Sequence, residues 1–173
     1  MKSIASAILC IFLSLASLAQ TSLETKVFDL INKYRDSIKA PKLEWHSPCA
    51  KSAETQSSYL QSKGGLLSHS QDTKGLETFY KRYAAAGGSG YAKLGEICNI
   101  INKNVKTSDS TFEDKLAKII VDTWKASPDH DAIMKDAKMK YGGLSVKLDS
   151  LPTDSKKWIR YEAYSVMILV DDK

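Results

Sequence analysis

The chain has 173 residues, of which 43% are hydrophobic and 26% are charged, and its formal net charge at pH 7 is +5. A single domain of this size can bury a continuous hydrophobic core. Lysines and acidic residues are interspersed, and no basic stripe with interleaved aromatic residues occurs, so the composition argues against a nucleic-acid-binding protein.

The N-terminal segment predicts a signal peptide over residues 1–19. Lys2 gives it a positive start, an apolar stretch follows, and Ser17 and Ala19 place small residues at the −3 and −1 positions of a cleavage site. We therefore expect a secreted or periplasmic domain over residues 20–173, and a retained anchor is the alternative. No other segment has the roughly 20 apolar residues of a membrane-spanning helix, so we predict no membrane span.

Helices are predicted for most of the first half of the domain. Apolar residues recur at helical spacing over residues 22–38, and a second helix over 47–63 has Ser47 as its N-cap and Pro48 at its first helical position. A third helix is predicted over residues 73–86, because glycines follow it directly.

The second half predicts strands on either side of two further helices. Ser110 and Glu113 have the spacing of a capping box, which predicts the start of the fourth helix. The last strand is nearly continuously apolar, as a central strand would be. This order of elements predicts an α+β fold with a mainly antiparallel sheet between helical layers. The remaining elements are predicted as a strand over 93–101, a short helix over 127–134, and strands over 141–148 and 158–170.

Two cysteines lie within the predicted mature domain, since Cys10 belongs to the predicted signal peptide. Export favours a disulfide between Cys49 and Cys98. The bridge would close a loop of about 50 residues and stabilise the fold by roughly 4 kcal/mol on the chain-entropy model. The alternative is two separate buried thiols.

Three scattered polar residues are the candidate functional groups. His69 lies between two serines, Glu96 follows Gly95, and His130 lies shortly after Trp124. Two imidazoles and one carboxylate can bind zinc or another divalent cation, with water completing an open site. The alternative is that the three side chains hydrogen-bond to each other and to water. Other aromatic and histidine side chains are expected to be structural or to lie in loops; they are Trp45, Trp124 and Trp158 as anchors, and His46 as a surface loop residue.

A hydrolase is a second interpretation of the same groups. Ser70 or another serine, together with His130 and Glu96, would supply a nucleophile, a base and an orienting acid. No G-x-S-x-G segment occurs. Neighbouring residues of an extended chain point to opposite faces, so the serines beside His69 do not pair with it through adjacency alone. We favour a non-enzymatic role, and the hydrolase stays the alternative.

Six motifs resemble those of the CAP superfamily, also called the SCP/PR-1-like domain, and they occur in family order over about residues 23–170. The short spacing from tryptophan to the last histidine is similar to the bacterial branch. The motifs are Asn32 with Arg35, Pro41-x-Leu43-x-Trp45, His69, Gly95-Glu96, Trp124 with Ser127-Pro128-x-His130, and Tyr141-Gly142-Gly143.

The resemblance implies a three-layer α-β-α sandwich with a surface cleft that holds two histidines and two acidic residues and can take a divalent cation. His69 and His130 match the histidines, and Glu96 matches the first acid. The second acid is missing, since its position is Ala126. Three aspartates are candidates to replace it: Asp122, Asp129 and Asp131.

The resemblance also implies an extracellular binding module. We expect a monomer whose ligand is a lipid, a peptide or a cell-surface component. The alternatives are the hydrolase and a surface interaction protein with a vestigial cleft.

Overall fold

The computed structural model describes residues 20–171, so the predicted signal peptide lies outside the described residues. Within this part, the chain forms five α-helices and four β-strands. In chain order they are α1 (Ser22–Ser37), β1 (Glu44–Trp45), α2 (Ser47–Ser62), α3 (Phe79–Ala85), β2 (Leu94–Lys106), α4 (Phe112–Ala126), α5 (Pro128–Lys135), β3 (Met139–Pro152) and β4 (Trp158–Asp171). None of the described helices is both long enough and apolar enough to cross a membrane.

The strands form one mixed sheet in the order β1-β3-β4-β2. Strands β3 and β4 are antiparallel, as are β4 and β2, and only the two-residue β1 is parallel to its neighbour. The apolar sequence of β4 correctly predicts a central strand, because β4 lies between the two other long strands. The short strand β1 at Glu44–Trp45 is an element that the sequence pattern did not indicate.

Helices cover both faces of the sheet, which confirms the α-β-α sandwich. Successive residues of a strand point to opposite faces, and β2 shows this directly. Ile97 packs in the core formed with α1 and α4, whereas Cys98 packs in a second core that contains Leu60 of α2 and Tyr83 of α3. The sheet therefore separates two apolar cores.

Arg35 of α1 joins several segments at one end of the sandwich. Its buried guanidinium donates hydrogen bonds of 2.6 to 3.1 Å to the carbonyl oxygens of Pro41, Met134, Asp136 and Met139. Burial lowers the pKa of Arg35. The carbonyl groups belong to the chain after α1, to the end of α5 and to the start of β3, so this one side chain holds α5 against α1.

The third helix is shorter than the sequence predicted. It begins at Phe79, because Gly75 adopts a left-handed backbone conformation with φ of 85° that interrupts a helix. The Thr78 side chain then caps the helix by accepting a hydrogen bond from the backbone N–H of Lys81. Residues 73–78 consequently form turns.

The predicted capping box at Ser110 and Glu113 is wrong. Helix α4 begins at Phe112, after Thr111. The Glu113 carboxylate instead accepts hydrogen bonds from Ser22 at 2.8 Å and from Lys26 at 3.1 Å, both on α1. Glu113 therefore contacts residues that are distant in the sequence, and it does not cap its own helix as the local spacing predicted.

Two adjacent glycines of β3 allow a matched test of the packing of α2 on the sheet. A Cβ at Gly143 would lie 2.3 Å from the backbone nitrogen of Ala50, whereas a Cβ at Gly142 would first meet the flexible end of Met167 at 2.8 Å. Because backbone cannot move aside as a methionine can, we expect Gly143→Ala to lower the free energy of unfolding by about 3 kcal/mol or more, and Gly142→Ala by roughly half as much. Urea denaturation of both variants measures the difference, and equal losses would contradict this account.

Candidate functional site

Three separate elements bring the candidate residues close together, and we use the word cleft as a name for this group of three side chains. His69 lies in the loop between α2 and α3, Glu96 on β2, and His130 on α5. Gly95 contributes to this convergence, since a Cβ there would lie only 2.9 Å from Ile133 of α5. The absence of a side chain at position 95 therefore lets α5 approach β2 closely.

The structure places the three side chains near one another. His69 Nδ1 is 3.0 Å from Glu96 Oε1. The rings of His69 and His130 have their centroids 6.3 Å apart and their planes at 72°. The His69 side chain is 51% exposed, whereas the Glu96 side chain has no exposed surface. The cleft therefore presents imidazole to solvent and keeps its carboxylate underneath.

Arg82 of α3 is the functional neighbour that the sequence analysis missed. Its Nη2 donates to Glu96 Oε2 at 2.7 Å, and neither side chain has any exposed surface. The same guanidinium donates to the carbonyl oxygens of Leu76 at 3.0 Å and His69 at 3.1 Å. A buried carboxylate needs a cationic partner. The position of Glu96 between Gly95 and Ile97 was therefore a signal that such a partner exists. No spacing in the sequence identified Arg82 as that partner.

The two cleft histidines differ in their affinity for a proton. The Cys98 sulfur and the Glu96 carboxylate raise the pKa of His69 to about 10. The sulfur lies 3.7 Å from Nδ1 and 3.8 Å from Nε2. Burial, assisted by the charge on His69, lowers the pKa of His130. At neutral pH the cleft therefore holds one imidazolium and one neutral imidazole.

Comparison with protein families identifies the domain. The model of the CAP family, described as the cysteine-rich secretory protein family, matches residues 28–159. The chain belongs to the CAP family. The search of curated proteins found no match.

Solved structures of bacterial proteins share the CAP fold at low sequence identity. An SCP-domain extracellular protein of Bacillus anthracis has 20% identity and a TM-score of 0.57, over 87% of this chain and 40% of that one. An outer surface protein of Borrelia burgdorferi has 14% identity and a TM-score of 0.59, over 90% of this chain and 97% of that one. A cysteine-rich secretory protein of Staphylococcus aureus has 12% identity and a TM-score of 0.51, over 87% of this chain and 38% of that one. This CAP chain thus spans about two fifths of the Bacillus and Staphylococcus proteins.

None of the three candidates for the second acid hydrogen-bonds to an imidazole of this CAP domain, among the described residues. Asp131 accepts a hydrogen bond from Tyr34 at 2.6 Å and forms an ion pair with Lys135. Asp122 forms an ion pair with Lys118. Asp129 acts only through its charge, which partly offsets the lowering of the pKa of His130.

The predicted disulfide is absent from the structure. Cys49 and Cys98 are free thiols, and both are buried. Each sulfur lies beside a different imidazole, since Cys49 Sγ is 3.4 Å from His46 Nδ1 and Cys98 contacts His69. Burial raises the pKa of Cys49 to about 12, so this thiol behaves as a small apolar side chain.

His46 lies in the loop before α2, as the sequence analysis expected, but the residue is half-buried and not at the surface. Its ring packs against Tyr141, with centroids 5.4 Å apart, and against Tyr83 at 6.1 Å. Burial lowers the pKa of His46. It precedes α2 and supports the position of that helix instead of facing the cleft.

The titration of the three histidines tests the electrostatics of the cleft. We expect the His69 ring to stay protonated between about pH 5 and pH 8, while His46 and His130 titrate below the ordinary value of 6.5. NMR titration of the metal-free protein, with His69→Gln for assignment, measures this. Three similar midpoints between about pH 6 and pH 7 would contradict the assignment.

The raised pKa of His69 also predicts how the stability of the fold changes with pH. A folded-state pKa near 10, above the unfolded value of 6.5, means that the His69 charge stabilises the fold fully below about pH 6.5 and that this contribution is lost as pH rises through 10. The difference in urea midpoint between the wild type and His69→Gln should therefore shrink over that interval. A difference that grows with pH would contradict it.

Proposed function

We propose that this CAP domain is an extracellular binding module whose two cleft imidazoles, His69 and His130, hold a divalent cation such as zinc. The observation that supports it is the pair of partly exposed rings, with centroids 6.3 Å apart, beside a buried carboxylate. The extracellular assignment draws on the N-terminal segment and on two similar structures, one described as extracellular and one as an outer surface protein.

The spacing of the rings fits a shared cation after a small movement. A zinc–nitrogen bond of about 2.1 Å places a metal about 3.2 Å from each ring centroid, so tetrahedral coordination requires centroids about 5.2 Å apart. The observed separation is 6.3 Å. A side-chain movement of about 1 Å would close this gap, and the partial exposure of His69 leaves room for it.

Glu96 fits as a positioning residue and not as a ligand. One of its oxygens contacts His69 Nδ1 and the other accepts from Arg82. Within residues 20–171, no group of three or more histidine, cysteine, aspartate or glutamate side chains is placed to hold a metal ion. Glu96 therefore orients the ring, as carboxylates often do behind a metal-binding histidine, and leaves Nε2 as the donor atom.

A bound cation would act as a Lewis acid or as an electrostatic anchor for an anionic group of the ligand.

The residues do not favour the hydrolase interpretation. The Ser68 hydroxyl donates to the carbonyl oxygen of Ser70 and accepts from the Ser70 N–H. Among the described residues, neither serine hydroxyl hydrogen-bonds to a histidine, so the serine–base pair of a nucleophilic mechanism is not assembled.

Zinc titration by calorimetry tests the cation site with a matched set of histidine variants. We expect His69→Ala and His130→Ala each to weaken binding by more than about tenfold, because each removes a ligand, whereas His46→Ala leaves it unchanged. Binding should also release a proton, since His69 must be neutral to coordinate. No heat from the intact protein would favour a vestigial cleft.

A groove between α1 and α4 supports a second ligand, an amphipathic molecule such as a fatty acid. Its volume is about 530 Å³, which is in the range of small-molecule sites. Leu30, Tyr34 and Val121 give it an apolar floor. Four lysines and three aspartates lie around it: Lys26, Lys33, Lys118, Lys125, Asp29, Asp114 and Asp122. Because Lys26 is paired with Asp114 and Lys118 with Asp122, an acyl chain in the groove would place its carboxylate at Lys33 and Lys125.

A fluorescent dansyl-labelled undecanoate tests this groove. We expect Leu30→Glu to weaken binding about tenfold, because it places a charge in the apolar floor. The matched control is Leu151→Glu, which changes a leucine that is 37% exposed on β3 and does not line the groove. Equal binding by the two variants would contradict the proposal.

A further inference from the structure

A second cavity lies at the edge of the sheet, between the end of β2 and the start of α4. We name it the β2–α4 pocket, and its volume is about 340 Å³. None of the cleft residues His69, Glu96 and His130 lines it. The residues that matter for its chemistry are Phe112, Trp158, Lys103, Lys106, Lys115 and Asp109.

Aromatic rings form much of the apolar wall. Trp158 is 40% exposed, although the sequence analysis expected it to be a structural anchor. The Phe112 ring is fixed by stacking on Tyr161, with centroids 4.4 Å apart and planes at 25°. The half-exposed indole and the fixed phenyl ring both line the pocket. Each offers apolar surface, which costs free energy when it remains in water.

The charge of the pocket is positive. Three lysines and one acidic residue, Asp109, are the charged side chains among its described lining residues. Asp109 is already neutralised, because Lys115 donates to its Oδ2 at 2.8 Å and Thr111 donates to its Oδ1 at 2.7 Å. This leaves Lys103 and Lys106 as uncompensated cations, and the Lys106 ammonium lies 5.6 Å from the centroid of the Trp158 ring.

We propose that the β2–α4 pocket binds a small organic anion with an aromatic or apolar body, whose acidic group meets Lys103 and Lys106 while the body lies against Trp158 and Phe112. The volume suits a molecule of two or three rings and is too small for a macromolecular segment. This site is independent of the cation proposed for the cleft and of the α1–α4 groove.

Anilinonaphthalene sulfonate is a suitable probe, because it joins an aromatic body to one negative charge and its fluorescence is excited by energy transfer from tryptophan. We expect saturable binding to the full domain. The double variant Lys103→Gln/Lys106→Gln should bind about tenfold more weakly, as expected for the loss of two charge contacts. The matched control Lys51→Gln/Lys74→Gln, which changes two exposed lysines that line neither this pocket nor the α1–α4 groove, should bind as the wild type does.

Two further measurements separate the contributions of charge and location. Uncharged N-phenylnaphthylamine should bind the wild type and the Lys103→Gln/Lys106→Gln variant equally, because it lacks the acidic group. Trp158→Phe should lower the tryptophan-sensitised emission, with Trp45 and Trp124 remaining as donors. The proposal is overturned if the Lys103→Gln/Lys106→Gln variant binds the sulfonate as well as the wild type does, if the Lys51→Gln/Lys74→Gln control loses binding instead, or if emission survives Trp158→Phe unchanged.

Discussion

The buried ion pair between Arg82 and Glu96 holds the cleft together. Both side chains are fully removed from solvent and their atoms are 2.7 Å apart. Separating them would leave a buried charge without its partner, which costs several kcal/mol. Helix α3 therefore stays against β2 although it has only 7 residues. Because Arg82 also binds the carbonyl oxygen of His69, the loop that carries His69 is fixed by the same interaction.

Local patterns predicted those parts of the structure that local physics determines. The helical spacing around Leu23 and Val27, and the apolar run of β4, led to correct elements because burial repeats with the period of the element. The predicted start of α4 was wrong because of a tertiary contact, and the predicted length of α3 was wrong because of a backbone conformation. Glu113 contacts α1 instead of its own helix, and Gly75 adopts a conformation that spacing does not reveal.

The cleft shows the same division between sequence and tertiary structure. His69, Glu96 and His130 were found because their motifs stand in family order. Arg82 was not found because its role arises only when α3 folds over β2. The disulfide prediction rested on export and not on geometry, and the structure instead places Cys49 and Cys98 beside separate imidazoles. A single sequence thus does not disclose which distant residues, such as Arg82 and Glu96, form pairs in the fold.

Ala126, at the position of the missing second acid, explains why the two imidazoles are unequal. With a single carboxylate in the cleft, only His69 has an acid in hydrogen-bonding contact, and its proton is retained. His130 is held by burial and by the neighbouring charge in its neutral form, with its nitrogen lone pair available. A cation must displace one proton to use both rings, whereas an anionic group can meet the His69 charge directly. In the proposed cation site, binding would therefore weaken as the pH falls, because protons compete with the cation for both imidazoles.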